Sequence, residues 1–413
     1  MRILLWATHL QTDMLALACH LDRCADVDLM IVVPGKESFA RTAFARFRPF
    51  RARLLDRNDA ATLPLVRGFG ADVAVADNHV PPKGSAPRLF YMWHGMGWKA
   101  RSRVDLQIFY RQVRHMIGQD PRLPTPNFLA QCYGPTDRDW RIARWKLPAA
   151  SCAGVGMLFS DLLAAPPYSK SDVARDYKID VLGRKTVLLS ITWHQGEIFA
   201  ACAAANNRRF DRAGVAAADA HFIHSLVESV EARGANLLIC LHDRHRYDPA
   251  FVRFVEALAD RHPFVEARFK SSHPDNLSDL LVADVMLSNL SSFLAYFYLL
   301  GRPAIHILPA SANGQSIRRT VMLFSRWRVK RRIKAEDAWM LDPTDTGGPR
   351  VFDSEQARAA VERALDDPAW GVAEASGWLG RHLLARDGQA GTRAEMYLKQ
   401  MCALRPWRAT NRQ

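Results

Sequence analysis

The sequence predicts an α/β protein of two doubly wound, Rossmann-like parallel-sheet domains facing a cleft, followed by C-terminal helices. Three observations predict it. Short apolar runs alternate with helical patterns through the first half. The same alternation restarts after a stretch rich in proline and small residues. The chain has 413 residues, two or three domains at ~150 residues each. Composition agrees: 49% hydrophobic and 24% charged is ordinary for a globular chain and excludes a disordered chain, a collagen and a coiled-coil rod.

The elements follow in order. Residues 2–8 read as a first strand and 11–24 as a helix; 27–34, 71–77 and 87–94 read as further buried strands. After 94 the chain turns helical and basic to about 118 and Pro-rich at 121–126. The alternation restarts with a strand at 185–193 and a helix at 217–233. Strands at 235–243 and within 262–269 flank a helix at 249–261. Residues 276–289 read as a helix running into a strand, 291–301 as a helix ended by glycine, and 302–309 as a strand. The resulting domains are 1–150, a connection over 151–180, 181–372, and C-terminal helices over 373–413, the last expected to return to the first domain.

Lys+Arg 56 against Asp+Glu 42 gives a net charge of +14. Arginine supplies 45 of the 56 cations, as GC-rich coding would give, but the excess charge still calls for an anionic partner. Seven scattered cysteines argue for a reducing compartment and against a disulfide framework. Cys19, His20 and Cys24 lie close together but lack a second ligand pair, so no metal is expected. The apolar starts of the first strand and of 293–300 are too short for a signal peptide or a span. The expected location is cytoplasmic, with peripheral placement on the inner face of the plasma membrane.

Four segments carry chemistry, each at a predicted strand end. Trp93-His94-Gly95-Met96-Gly97-Trp98-Lys99 offers a histidine of base-forming type beside two glycines that let backbone approach a ligand. Leu241-His242-Asp243-Arg244-His245-Arg246 sets a histidine and two arginines where a phosphate would be met. Ser288-Asn289-Leu290-Ser291-Ser292 precedes a helix whose free N–H groups suit an anion. Ile191-Thr192-Trp193-His194 opens from the first strand of the second half. Each has a plain structural reading as well: a turn histidine, a solvated loop, an N-cap, a core tryptophan. The chain carries no P-loop, no GxSxG elbow and no HExxH. Asp137-Arg138-Asp139 has the spacing of a metal-binding acidic pair, but its helical, basic setting reads as a solvated face.

In their order, these segments resemble the CDP-glycerol glycerophosphotransferase family, the teichoic-acid-type polymerases and primases. Trp93-His94-Gly95 is similar to that family's Trp-His-Gly-Thr-Pro motif, Thr192-Trp193 to its Thr-Trp-Arg, His242 to its Pro-His-Pro, and Ser288–Ser292 to its Thr-Asp-Tyr-Ser-Ser. Leu280–Val285, Gly301-Arg302-Pro303, and Gly154-Val155-Gly156 with Asp161 match lesser features. The resemblance covers about 90–305. It implies a GT-B fold and an inverting, metal-independent and cofactor-free transfer from a nucleotide-activated donor. The N-terminal domain would take the acceptor and the C-terminal domain the donor. Carried over residue by residue, His94 is the base and His242 a catalytic partner at the leaving phosphate. Asn289, Ser291, Ser292, Arg244 and Arg246 bind donor phosphate. Gly95, Gly97, Lys99, Arg101, Thr192, Trp193 and His194 line the acceptor side. The departures are Asn289 for Asp, Leu290 for Tyr, Leu241 and Asp243 for the two prolines, and Met96-Gly97 for Thr-Pro. A nucleotide sugar therefore stands beside CDP-glycerol as donor.

Two runs interleave basic and aromatic residues, 41–53 and 326–334, as acidic lipid headgroups would require; a solvated helix face is the plain alternative. They point to an anionic or lipid-linked polysaccharide acceptor. The other class of function is a basic nucleic-acid- or membrane-binding protein on a degenerate scaffold without turnover. Nucleic acid is disfavoured by the absence of a recognised module or RNP pattern. A nucleotide-sugar 2-epimerase shares the architecture but needs acidic residues at the sugar that the sequence does not place.

Overall fold

The computed structural model describes residues 1–93, 95–98, 100, 101, 103–191, 217–242, 244, 247, 249–308, 316–323, 327–334 and 339–404, with backbone alone for 217–219, 316–323 and 327–334. The chain divides into two units. The first comprises Met1–Met96, Arg103–Pro167 and Gly380–Gln413; the second comprises Gly97–Ser102 and Tyr168–Leu379.

The first unit holds seven parallel strands: β1 (Arg2–Trp6), β2 (Asp28–Val33), β3 (Arg53–Asp56), β4 (Val73–Asp77), β5 (Leu89–Met92), β6 (Phe128–Cys132) and β7 (Cys152–Gly154). Their order is β3-β2-β1-β4-β5-β6-β7, so the order reverses between β1 and β4. The inner strands are apolar runs buried on both faces, as a sheet covered by helices requires. Three strands lie outside the sequence expectation. β3 is short and polar at both ends; β6 is interrupted by Gln131, whose amide donates to Gly156 O at 2.9 Å; β7 lies inside the anticipated connection. The helix Ala390–Ala403 packs on the helix Thr12–Leu21 and on β4, as expected for a returning C-terminus. Asp161 accepts the Gly391 N–H at 2.8 Å, and His20 Nε2 meets Glu395 at 2.7 Å.

The first basic run is built into this unit. Phe39, Phe44 and Phe50 pack on one another with centroids about 6 Å apart, and Asp22 accepts the N–H groups of Arg51 and Ala52. Of its aromatics Phe44 is buried and packs inward, while Phe47 is exposed.

The second unit holds six parallel strands: β8 (Thr186–Ser190), β9 (Asn236–Leu241), β10 (Val265–Phe269), β11 (Val285–Ser288), β12 (Ala304–Ile307) and, after a ribbon described next, β15 (Arg350–Val351). Their order is β10-β9-β8-β11-β12-β15, reversing between β8 and β11. The second basic run is a strand, not a helix face. β13 (Ser316–Leu323) and β14 (Trp327–Lys334) form a separate antiparallel ribbon, opposing Arg318 to Arg332 and Arg319 to Arg331.

A buried ionic cluster ties this unit's entry segment to its sheet. Arg268 on β10 pairs with Glu266 at 2.7 Å and Asp279 at 3.3 Å. Its guanidinium lies 3.5 Å from the Tyr177 ring centre, and Tyr177 donates to Asp279 at 2.9 Å. Glu266 accepts the Lys178 N–H at 2.7 Å. Burial pushes the Asp279 carboxyl up, and Arg268 pulls it back. Removing the cation strands two buried carboxylates. Arg268→Met is therefore expected to cost ~3–5 kcal/mol in urea unfolding, against about 1 kcal/mol or less for an exposed pair such as Arg358–Glu362.

Candidate functional site

In the second unit the sequence segments meet at the strand reversal, where open α/β sheets present a crevice. β11 lies beside β8, with Ser288 opposite Ser190 and its hydroxyl donating to Ser190 O. The chain then turns sharply. Asn289 is buried, and Leu290, also buried, takes φ 48°, a left-handed backbone that a leucine adopts at a cost. Ser291 follows as N-cap of the helix Ser292–Leu299, accepting the Phe293 N–H at 3.2 Å. The helix N-terminus thus points its first N–H groups from the sheet's carboxyl edge.

Gly97 belongs to this site. The Gly97 backbone runs against the helix start: a methyl group there would meet Ser292 N at 3.4 Å and its Cα at 3.6 Å, in ordinary van der Waals contact. His242 follows β9 on the same carboxyl edge, half-buried, its N–H donating to Tyr247 Oη at 2.7 Å. Lys270 follows β10, with Nζ 5.6 Å from the centre of the Phe293 ring in the first turn of the helix. The sequence reading missed Lys270: it follows an unremarkable strand, and only the sheet order shows which edge it joins.

The segment carrying Gly97 is anchored within the second unit by Trp98, which is fully buried. Its indole stacks on Trp378 at 5.4 Å and meets His306 edge-on at 5.1 Å. Its Nε1 donates to Asp345 O at 2.8 Å, and its carbonyl accepts the Met340 N–H at 2.7 Å. His306 Nε2 bonds Tyr298 Oη, which also accepts the Gly347 N–H at 3.0 Å. Burial, with Arg350 adding, pushes the His306 imidazole down to about 3.

In the first unit the turn after β5 is braced from behind. Gly95 takes φ 118° and donates its N–H to Tyr133 Oη at 2.9 Å; the same hydroxyl donates to Trp93 O at 2.9 Å. Asp137 accepts the Tyr133 N–H at 3.0 Å and pairs with Arg141 at 2.8 Å, both buried. Arg141 lies over Trp145, which meets Trp93 edge-on at 5.5 Å. Asp137 is therefore an interior brace and not the solvated residue expected from its spacing; Asp139 is exposed as expected.

The remaining expected residues are accounted for as follows. Arg244 is engaged elsewhere: its guanidinium pairs with Glu256 and lies 5.4 Å from the Phe269 ring centre. Arg101 is half-buried in the second unit. His94, Lys99, Thr192, Trp193, His194 and Arg246 lie outside the described residues. Among the described residues, one group has metal-ligand geometry: His20, Cys24 and Glu395, with ligand atoms within 4.8 Å of one another. Lys399 already neutralises that carboxylate at 2.7 Å and holds it down to about 2, while burial pushes the Cys24 thiol up to about 11. The cluster is an ion-paired staple between helices. Among the described residues no helix is long and apolar enough to cross a membrane.

Two outcomes follow from these braces. Tyr133→Phe removes both bonds to the Trp93–Gly95 turn, costs ~1–3 kcal/mol, and speeds hydrogen exchange at the Gly95 amide more than at β5. His306 stays neutral when folded, so below its unfolded value of 6.5 only the unfolded chain takes up the proton. Its contribution, fully present above that pH, is lost as pH falls toward about 3. His306→Gln should therefore lose stability less steeply than wild type over that window in urea titrations.

No known family profile and no curated protein sequence matches the chain. Solved structures do. The wall teichoic acid polymerase TagF matches with a TM-score of 0.64 at 11% identity, over 97% of this chain and 88% of that one. A UDP-GlcNAc 2-epimerase from Neisseria meningitidis, bound to UDP-GlcNAc, matches with a TM-score of 0.54 at 10% identity, over 97% and 100%. S. aureus MnaA with UDP matches with a TM-score of 0.53 at 11% identity, over 97% and 96%. At such identities the likeness is one of fold, and it is the fold that the motif resemblance implied: two parallel-sheet α/β units of the GT-B type.

Proposed function

We propose that the chain is a metal-independent transferase. It moves a glycerol-phosphate or glycosyl group from a nucleotide-activated donor to a hydroxyl of a cell-envelope polysaccharide or lipid-linked acceptor. One observation carries this reading: the helix start at Ser292 stands at the β8/β11 reversal, with the Gly97 backbone against it. We place a donor pyrophosphate there, where the helix dipole favours negative charge. His242 and Lys270, on the same carboxyl edge, supply donors and positive charge for the leaving nucleotide phosphate. Asn289 and Ser291 shape the turn. Arg244 is left out, being held by Glu256, and Arg246 keeps its sequence-based assignment.

His94 follows from sequence as the base that takes the acceptor proton, a role worth ~10²–10⁴-fold. The residues on either side of it, Trp93 and Gly95, are bonded by the Tyr133 hydroxyl. Lys99, Arg101, Thr192, Trp193 and His194 stay as the acceptor-side assignment. The structural neighbours lend support: a TagF variant was soaked with CDPG, and other neighbours hold UDP or UDP-GlcNAc. The peripheral-membrane part of the reading rests on the β13–β14 ribbon. Its sequence is densely basic around Trp327, and such segments are attracted to anionic surfaces.

Thermal shift with CDP-glycerol, CMP, UDP, UDP-sugars and GDP-sugars tests the reading. A ligand at 100 times its dissociation constant adds about 2.7 kcal/mol. One nucleotide should stabilise the wild type, and His242→Ala and Gly97→Val should lose most of that gain while keeping their unliganded melting temperature. If no nucleotide stabilises the chain and anionic vesicles or RNA bind instead, the transferase reading falls to the binding protein without turnover.

A further inference from the structure

The basic run at 41–53, which the transferase reading leaves aside, ends in a cleft of the first unit. The cleft measures about 490 Å³, within the size range of small-molecule sites. It lies at the amino ends of β2 and β3, opposite the carboxyl edge from which the Trp93–Gly95 turn leaves β5. Arg51 and Arg53 line it, with Asp22 and Asp28, and with Met30 and Phe69 as apolar wall. Cys24 lines it too; burial pushes its thiol up to about 11, so it stays neutral. Asp22 and Arg51 are committed to each other. Asp22 is buried, accepts the N–H groups of Arg51 and Ala52, and has the Arg51 guanidinium at 3.8 Å.

Asp28 and Arg53 are not so committed. Both are exposed, and among the described residues neither side chain has a hydrogen bond or an ion pair. The pleat puts them on one face of the sheet. Met30 stands opposite Arg53 in the register, and Asp28 lies two residues before Met30 on β2. On that face Met30 and Phe69 pack into one core. The cleft thus carries two free charges of opposite sign beside an apolar wall. A simple anion would be drawn to Arg53 and repelled by Asp28; a simple cation would meet the reverse. A molecule bearing both charges satisfies both. Arg53 offers a planar fork of donors to a carboxylate, and Asp28 offers acceptors to an ammonium. Exposed charges select more than they bind, so the affinity must come from apolar surface laid on Met30 and Phe69.

We infer that this cleft binds a zwitterionic amino acid with an apolar side chain, its carboxylate on Arg53, its ammonium on Asp28 and its side chain on Met30 and Phe69. No bond is made or broken there. The cleft shares no residue with the proposed donor site, and the inference does not rest on the transferase reading.

A saturation-transfer NMR titration of the full chain tests it. L-Phenylalanine is the probe. Phenethylamine and 3-phenylpropionate, which keep the ring and lack one charge each, are the contrasts. Phenylalanine should bind, and each contrast about tenfold more weakly, the loss of one charge-assisted contact. Arg53→Gln should weaken phenylalanine about tenfold and leave phenethylamine unchanged. Asp28→Asn should weaken phenylalanine by a similar factor and leave 3-phenylpropionate no weaker than before. Both side chains are exposed, so both variants should keep the wild-type melting temperature. Three results overturn the inference: no binding of phenylalanine, a contrast that binds the wild type as tightly as phenylalanine does, or folded variants that bind phenylalanine as tightly as the wild type.

Discussion

Every strand of the two large sheets runs parallel, and the candidate chemistry depends on that constraint. Parallel pairing puts all carboxyl ends of a sheet on one edge. The edge is also where the chain leaves the apolar interior, so polar residues collect there. In the second unit this gathers Ser190, His242, Lys270 and Asn289 from four strands that are scattered over the sequence. The reversal of strand order then opens the edge at one place, because the connections on either side of β8 and β11 run away from each other.

Holding a turn at that place has a cost, and the structure meets it with buried polar braces. Leu290 keeps its left-handed backbone because its side chain is buried and Ser291 caps the next helix. Trp93 and Gly95 are bonded by the hydroxyl of Tyr133, whose backbone N–H is held by Asp137, itself paired with Arg141. Such ions add little to net stability but are expensive to break, so they favour one geometry over its neighbours. Trp98 plays a matching part through packing: one indole contacts two aromatic residues and binds one carbonyl, and Gly97, beside it, is held on the Ser292 backbone.

Much of this was legible in the sequence because apolar periodicity is local. The strands β1, β2, β4, β5 and β8–β12 and most helices follow from it, and so does the placement of His242 and Ser288–Ser292 at strand ends. What failed needed information from distant residues. β3, β6 and β7 are short or interrupted, and become strands because a neighbouring strand is waiting to pair. Asp137 looked solvated because its partner is the buried Arg141, and Arg244 looked like a phosphate ligand because nothing in its loop announces Glu256. The second basic run has a composition that suits a helix face or a strand equally; pairing with Ser316–Leu323 decides it.

The two reversals differ in sign, and this bears on their ligands. In the second unit the reversal offers a helix start with a cation, Lys270, near its first turn, an electropositive edge. In the first unit the reversal offers the buried carboxylate of Asp77, which accepts the Thr8 N–H. A phosphate would gain from the first and be repelled by the carboxylate at the second. The fold provides each by the same device, a strand reversal, and the residues placed at the strand ends determine which charge each one takes.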